Sequence, residues 1–350
     1  MKLNTAKKLT AGALALSMMF AMATPAFALT SPEIQYSDMT SVTFTKTYEA
    51  TNPNTTSPKE TFQFEIEGVG VTDAASGVTI GTYEMPTVGT VSYTAGEAGS
   101  ATKAKKITVD LPAYESVGIY TYKIKEKAQG TAGVTYWGKD IILKVTVIEQ
   151  SGKIRVAAVH TENPKEDGTY DTSKGGTSTK NDNFPNTYSA GSLAVTKNVT
   201  GNLGDKDKKF EVTVTFKAPE KKAVKEAIKY SEGGTEKTIA ANAWKDGEVE
   251  ATIHLADTDT VTFTNIPYDV TYTVVEKDYT TSDGYDTADY NFSDNSKKID
   301  SATDTVTITN NKGGTVDTGV ILDNAPYMLM LAVVAGAAMT LVIKKRREEE

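Results

Sequence analysis

The 350 residues contain no cysteine, so no disulfide braces the chain and no thiolate is available as nucleophile or metal ligand. Histidine is nearly missing too. Only His160 and His254 occur, and no nucleophile motif surrounds a serine, so a secreted enzyme is a distant reading. Positive charge is in deficit. The formal charge is −8, and it becomes −11 once the three lysines of the first 28 residues are set aside, a surface that repels nucleic acid and other polyanions. Runs with helical periodicity are scarce, and long apolar stretches occur only at the two ends. Threonine, valine and tyrosine are plentiful instead, the residues of pleated, half-buried strands, and the chain reads as all-β.

The length suggests two domains after the ends are removed. Residues 1–28 read as a secretory signal peptide, with Lys2, Lys7 and Lys8 as the basic end, 9–23 as the apolar run, and Ala26, Phe27 and Ala28 as a small-x-small cleavage site. At the other end, Thr318 and Gly319 precede an apolar run over 327–343, interrupted only by Gly336 and Thr340 and followed by Lys344, Lys345, Arg346 and Arg347. Such a run is just long enough to span a bilayer, with the basic cluster kept inside, so 313–350 reads as a tail with a transmembrane helix.

Between the ends, short strands separated by Gly, Pro, Asn and Asp predict two tandem immunoglobulin-like β-sandwiches, 29–190 and 191–312. Residues 62–66, 107–111 and 119–124 alternate, while 141–148 is continuously apolar, as a central strand should be. The polar stretch 163–183 predicts an exposed loop, and the short joint at 189–192 a stiff, end-to-end pair. Residues 219–229 predict a surface helix with Ala223, Val224, Ala227 and Ile228 on one stripe. The acidic loop with Asp283, Asp286, Asp289 and Asp294 raises calcium, but it lacks the spacing and glycine of a known calcium loop, and no metal site is assigned.

Alternation also places charge where it is expensive. Strand side chains point to opposite faces with a period of two. In 42–48, Val42, Phe44 and Tyr48 share one face, and Lys46 falls among them. Lys197 sits the same way with Leu193, Val195 and Val199. Glu126 follows Tyr120, Tyr122 and Ile124; Glu276 follows Val270, Tyr272 and Val274. Asn186 lies between Phe184 and Tyr188, and Asn310 follows Val306 and Ile308. The order Lys, Glu, Asn thus occurs twice, each member on an inward face. A charged group in a dry core is expensive, so each should be paired, neutralised or chemically consumed. Phe44, Tyr120, Tyr122 and Phe184 are candidates for keeping water out.

These residues give the chain its resemblance to Gram-positive major pilins of the streptococcal type, built from isopeptide-linked, Cna protein B-type domains. The local contexts agree: residues 117–124 before Glu126, and Thr309, Asn310, Asn311 and Lys312 before the tail. The resemblance implies bonds from Lys46 to Asn186 and from Lys197 to Asn310, assisted by Glu126 and Glu276, formed once per domain as self-processing rather than turnover. It further implies cleavage by a pilus-type sortase between Thr318 and Gly319, with Asp317 standing where such signals commonly carry proline. The acyl group at Thr318 would pass to a lysine of another copy. Lys180 lies near the family's acceptor position, with Lys174 and Lys165 as alternatives. Implied partners are the sortase, further copies head to tail, minor pilins and the peptidoglycan wall; no cofactor is implied. The location is the cell surface and wall. A minor pilin or wall-anchored adhesin for a host ligand remains the alternative.

Overall fold

The computed structural model describes residues 38–99, 103–163, 181–315 and 319–348. Residues 1–28, expected to be a signal peptide, most of loop 163–183 with Lys165, Lys174 and Lys180, and Thr318 lie outside the described residues. The chain folds as two β-sandwiches. In the first, one sheet runs in the order Thr87–Val88, Lys105–Asp110, Ser41–Ala50, Asn183–Tyr188, Val134–Thr135. The facing sheet runs Val91–Tyr93, Glu60–Thr72, Gly118–Lys127, Ile141–Gln150, Lys153–Glu162. The second sandwich packs a six-stranded sheet, centred on Phe263, Leu193 and Val306 in neighbouring strands, against the three strands Glu248–Leu255, Phe210–Lys217 and Thr271–Glu276.

Alternation explains the packing. Ser41–Ala50 buries Phe44, Lys46 and Tyr48 in turn, and Phe210–Lys217 buries Phe210, Val212, Val214 and Phe216. Ile141, Ile142, Leu143, Val145 and Val147 are all buried, although the strand is not the central one expected: it lies fourth of five, between Gly118–Lys127 and the edge strand Lys153–Glu162. In each sandwich the first strand lies beside the last, and the two run parallel: Ser41–Ala50 with Asn183–Tyr188, and Ala190–Thr200 with Thr303–Asn311.

Residues 219–229 do not form the expected helix. They make a turn with Lys221 in the left-handed region (φ 59°), an isolated bridge at Ala223, and the start of the strand Ile228–Glu232. The periodic stripe was real, but Val224 and Ile228 are buried by an extended chain, and the Ala223 peptide is used by the first sandwich. Tertiary hydrogen bonds and burial outweigh a helix propensity worth only tenths of a kcal/mol per residue. Between the sandwiches only Ser189 lies outside a strand, and Ala132 of the first packs into the core of the second.

Candidate functional site

Lys46, Glu126 and Asn186 meet in the core of the first sandwich, with exposures of 0%, 3% and 1%. Lysine and asparagine come from the two parallel strands, and the glutamate from the facing sheet. Lys46 is opposite Phe184 in the ladder, so Asn186 lies two residues further along on the same face, within reach of a four-carbon side chain. The Lys46 Nζ is 3.4 Å from Glu126 Oε2, donates to the Phe184 carbonyl at 2.7 Å and the Thr47 carbonyl at 3.2 Å, and stands 4.3 Å over the Phe62 ring. The Asn186 amide donates from Nδ2 to Glu126 Oε1 and accepts the Trp137 main-chain N–H on Oδ1 at 2.9 Å. Burial drives the Lys46 pKa down to about 8 against the opposing pull of Glu126. Burial likewise raises Glu126, with Lys46 opposing and the nearby Glu60 carboxylate adding to the rise.

The second sandwich repeats the arrangement in the same register. Lys197 lies opposite Ile308, and Asn310 follows two residues on. Lys197, Glu276 and Asn310 are all buried. The Lys197 Nζ is 2.8 Å from Glu276 Oε2 and donates to Asn310 Oδ1, while Asn310 Nδ2 donates to Glu276 Oε1 at 2.6 Å. The Phe210 ring lies 4.2 Å from the amine, as Phe62 does in the first site, and burial lowers the Lys197 pKa. The Glu276 main-chain N–H donates to the Tyr290 hydroxyl at 2.8 Å, which fixes the end of that strand.

Of the aromatics expected to exclude water, Tyr120 and Tyr122 instead join Tyr83 and Tyr114 in a separate cluster. Phe44 and Phe184 pack beside the first site with their rings tilted at 54°, and Phe184 contributes its carbonyl there. The rings over the amines are Phe62 and Phe210, each near the start of the strand after the lysine strand. That shared position was a signal available in the sequence. Trp137 and Glu60 left no such signal, because their parts are set by main-chain and interdomain contacts. Three of the acidic residues already have partners: Asp283 pairs with Lys208 at 2.8 Å, Asp286 accepts from Asn311, and Asp294 from the Ser296 N–H. Among the described residues no cluster of three acidic or histidine side chains could hold a metal. His160 and His254 are exposed and lie beside Glu162 and Glu232.

Gly319 begins the helix Gly319–Glu348. Among the described residues no helix is long and apolar enough to cross a membrane. The side chains described within it, 329–346, begin two residues into the 327–343 run and already include Lys344, Lys345 and Arg346. Leu329, Leu331, Val333, Val334 and Met339 are all exposed, more than half their surface uncovered by the rest of the chain.

Residues 42–189 match the family described as the Spy0128-like isopeptide-containing domain, and 191–312 match a domain family of unknown function, DUF7601. A curated pilin from Streptococcus pyogenes serotype M1 is 29% identical over 320 residues, spanning 87% of this chain and 90% of the relative. The first sandwich thus matches an isopeptide-containing domain family, and the chain as a whole is similar to streptococcal pilins. The fold of this chain is shared with the solved major pilin of Streptococcus pyogenes, at 24% identity and a TM-score of 0.50 over 79% of this chain and 99% of that one. It is shared equally with the major pilin T3.2 of the same species, at 21% identity, a TM-score of 0.52 and the same coverage of both chains.

Proposed function

We propose that this protein is a pilin, the shaft subunit of a sortase-assembled, covalently polymerised surface pilus, each sandwich locked by a self-formed Lys–Asn isopeptide bond. The observation that carries the reading is the buried Lys–Glu–Asn set, present twice in one register. A buried ion pair is costly to maintain and gives little net stability. Two copies in the same strand register make sense as reactants.

The pair Lys46 and Glu126 share one proton, and moving it to the carboxylate leaves a neutral amine beside a protonated acid. The Nζ lone pair attacks Asn186 Cγ, the Nζ–Cγ bond forms, and the Cγ–Nδ2 bond breaks. Glu126 gives its proton to Nδ2, which leaves as ammonia, and takes one proton from Nζ in exchange. Lys197, Glu276 and Asn310 carry out the same exchange in the second domain. Each reaction occurs once, without turnover.

The bond would join the first strand to the last across a closed loop of 141 residues in one domain and 114 in the other, counting both ends. Tension entering one strand would leave through its parallel neighbour without unfolding the residues between. A sortase cutting between Thr318 and Gly319 would supply the acyl donor of the link between subunits, with transfer to Lys180, or to Lys174 or Lys165. The signal peptide and the anchor at 327–343 would deliver and hold the precursor at the membrane until that step, after which the subunit stands in the wall. A blot of wall extracts tests this. A ladder of high-mass species is expected, and Lys180→Arg should collapse it to wall-linked monomer, since a guanidinium stays protonated. A single monomer band from the unaltered chain would point instead to a minor pilin or adhesin.

A further inference from the structure

Segment 130–137 lies where the two sandwiches meet and is held from both. Val134 and Thr135 pair with Tyr188 and Thr187, and the Ser189 N–H donates to the Gly133 carbonyl at 2.8 Å. From the second sandwich, the Ala223 carbonyl accepts the Ala132 N–H at 2.9 Å, and the Ala223 N–H donates to the Gly130 carbonyl at 2.8 Å. Glu60, 2% exposed, gathers the rest. It accepts Thr131 Oγ1 at 2.8 Å, Tyr136 Oη at 3.2 Å, and the Lys225 amine of the second sandwich at 3.1 and 3.2 Å. The segment ends on Trp137, whose main-chain N–H points at Asn186 Oδ1.

Building on the cross-linking reading, we propose that the Trp137 main-chain N–H is the oxyanion donor of the first site, and that the docked second domain positions it through Ala223 and the Glu60–Lys225 pair. As Nζ attacks Cγ, the carbonyl electron pair moves onto Oδ1, and a fixed N–H aimed at that atom stabilises the charge where it develops. The second site is built differently. Among the described residues the donor on Asn310 Oδ1 is Lys197 itself, which gives up that contact as its nitrogen becomes the nucleophile. The first bond therefore depends on the neighbouring domain, and the second does not. Maturation runs from the second domain to the first.

The test follows the full chain in timed cell-free synthesis, quenching samples and measuring ammonia loss at each site on digested peptides. Phenyllactic acid placed at position 137 makes a main-chain ester, deleting the N–H while keeping the chain path; Trp137→Phe is its control. Relative to Trp137→Phe, the ester should slow the first site by about 100-fold or more and leave the second site unchanged. Lys225→Met should slow the first site alone by about fivefold, with Lys225→Arg restoring it. Equal first-site rates for the ester and Trp137→Phe would overturn the oxyanion assignment. A normal first site in Lys225→Met would overturn the interdomain control. No ammonia loss at either site of the unaltered chain would instead remove the cross-linking reading on which both rest.

Discussion

Replacing Glu276 with Gln removes the proposed proton carrier of the second site and almost no volume. The side chain is buried between Lys197 and Asn310, and the amide can still hydrogen-bond to Asn310 Nδ2, so packing in the strand Thr271–Glu276 is preserved. An amide cannot trade protons between amine and leaving group, and the second bond should not form. The loop from 197 to 310 then goes unclosed, which by the loop-entropy relation for cross-links costs about 5 kcal/mol. For a domain of 122 residues, 191–312, the unfolding entropy is about 0.25 kcal/mol per degree, so the loss corresponds to about 20 °C in melting temperature. Intact mass on the soluble fragment 29–312 should show two ammonia losses before the change and one after it. Calorimetry should show the single high transition dividing, the second domain melting well below the first. Two ammonia losses surviving in Glu276→Gln would refute the catalytic assignment. One loss with no fall in melting temperature would refute the loop-closure magnitude.

Glu126→Ala should leave the first domain folded but unlinked while the second still reacts, since the two sites do not share partners; the mass deficit should again be a single ammonia. The first site's rate should be bell-shaped in pH. Below the raised Glu126 pKa both groups hold protons and the amine is no nucleophile; above about 8 Lys46 is neutral but the acid is lost, so the rate falls on both sides. A rate still climbing at pH 10 would mean that Glu126 is not needed as the acid. Gly133→Ala should loosen the joint: Gly133 sits at φ 76°, and an added Cβ would lie 2.6 Å from the Ser189 carbonyl. A loss of about 1–3 kcal/mol is expected by chemical denaturation of the unlinked Glu126→Ala, Glu276→Gln chain, and an unchanged midpoint would contradict it.

Period-two alternation determined by itself that the chain is β-structured and that two lysines, two glutamates and two asparagines face inward. That pattern is local: it follows from the pleat, which sends neighbouring side chains to opposite faces whatever the strands pair with. Local information also misled. The stripe at 223, 224, 227 and 228 fits a helix as well as a buried extended chain, and only the contacts with Gly130 and Ala132 decide between them. Tertiary structure alone set lysine and asparagine on adjacent parallel strands with an offset of two, because ladder register depends on pairing partners more than a hundred residues away. It alone put Phe62 and Phe210 over the amines and turned the Trp137 N–H toward Asn186. A main-chain donor carries no side-chain signature, and a contact between domains carries no periodicity, so neither can be read until the chain has folded.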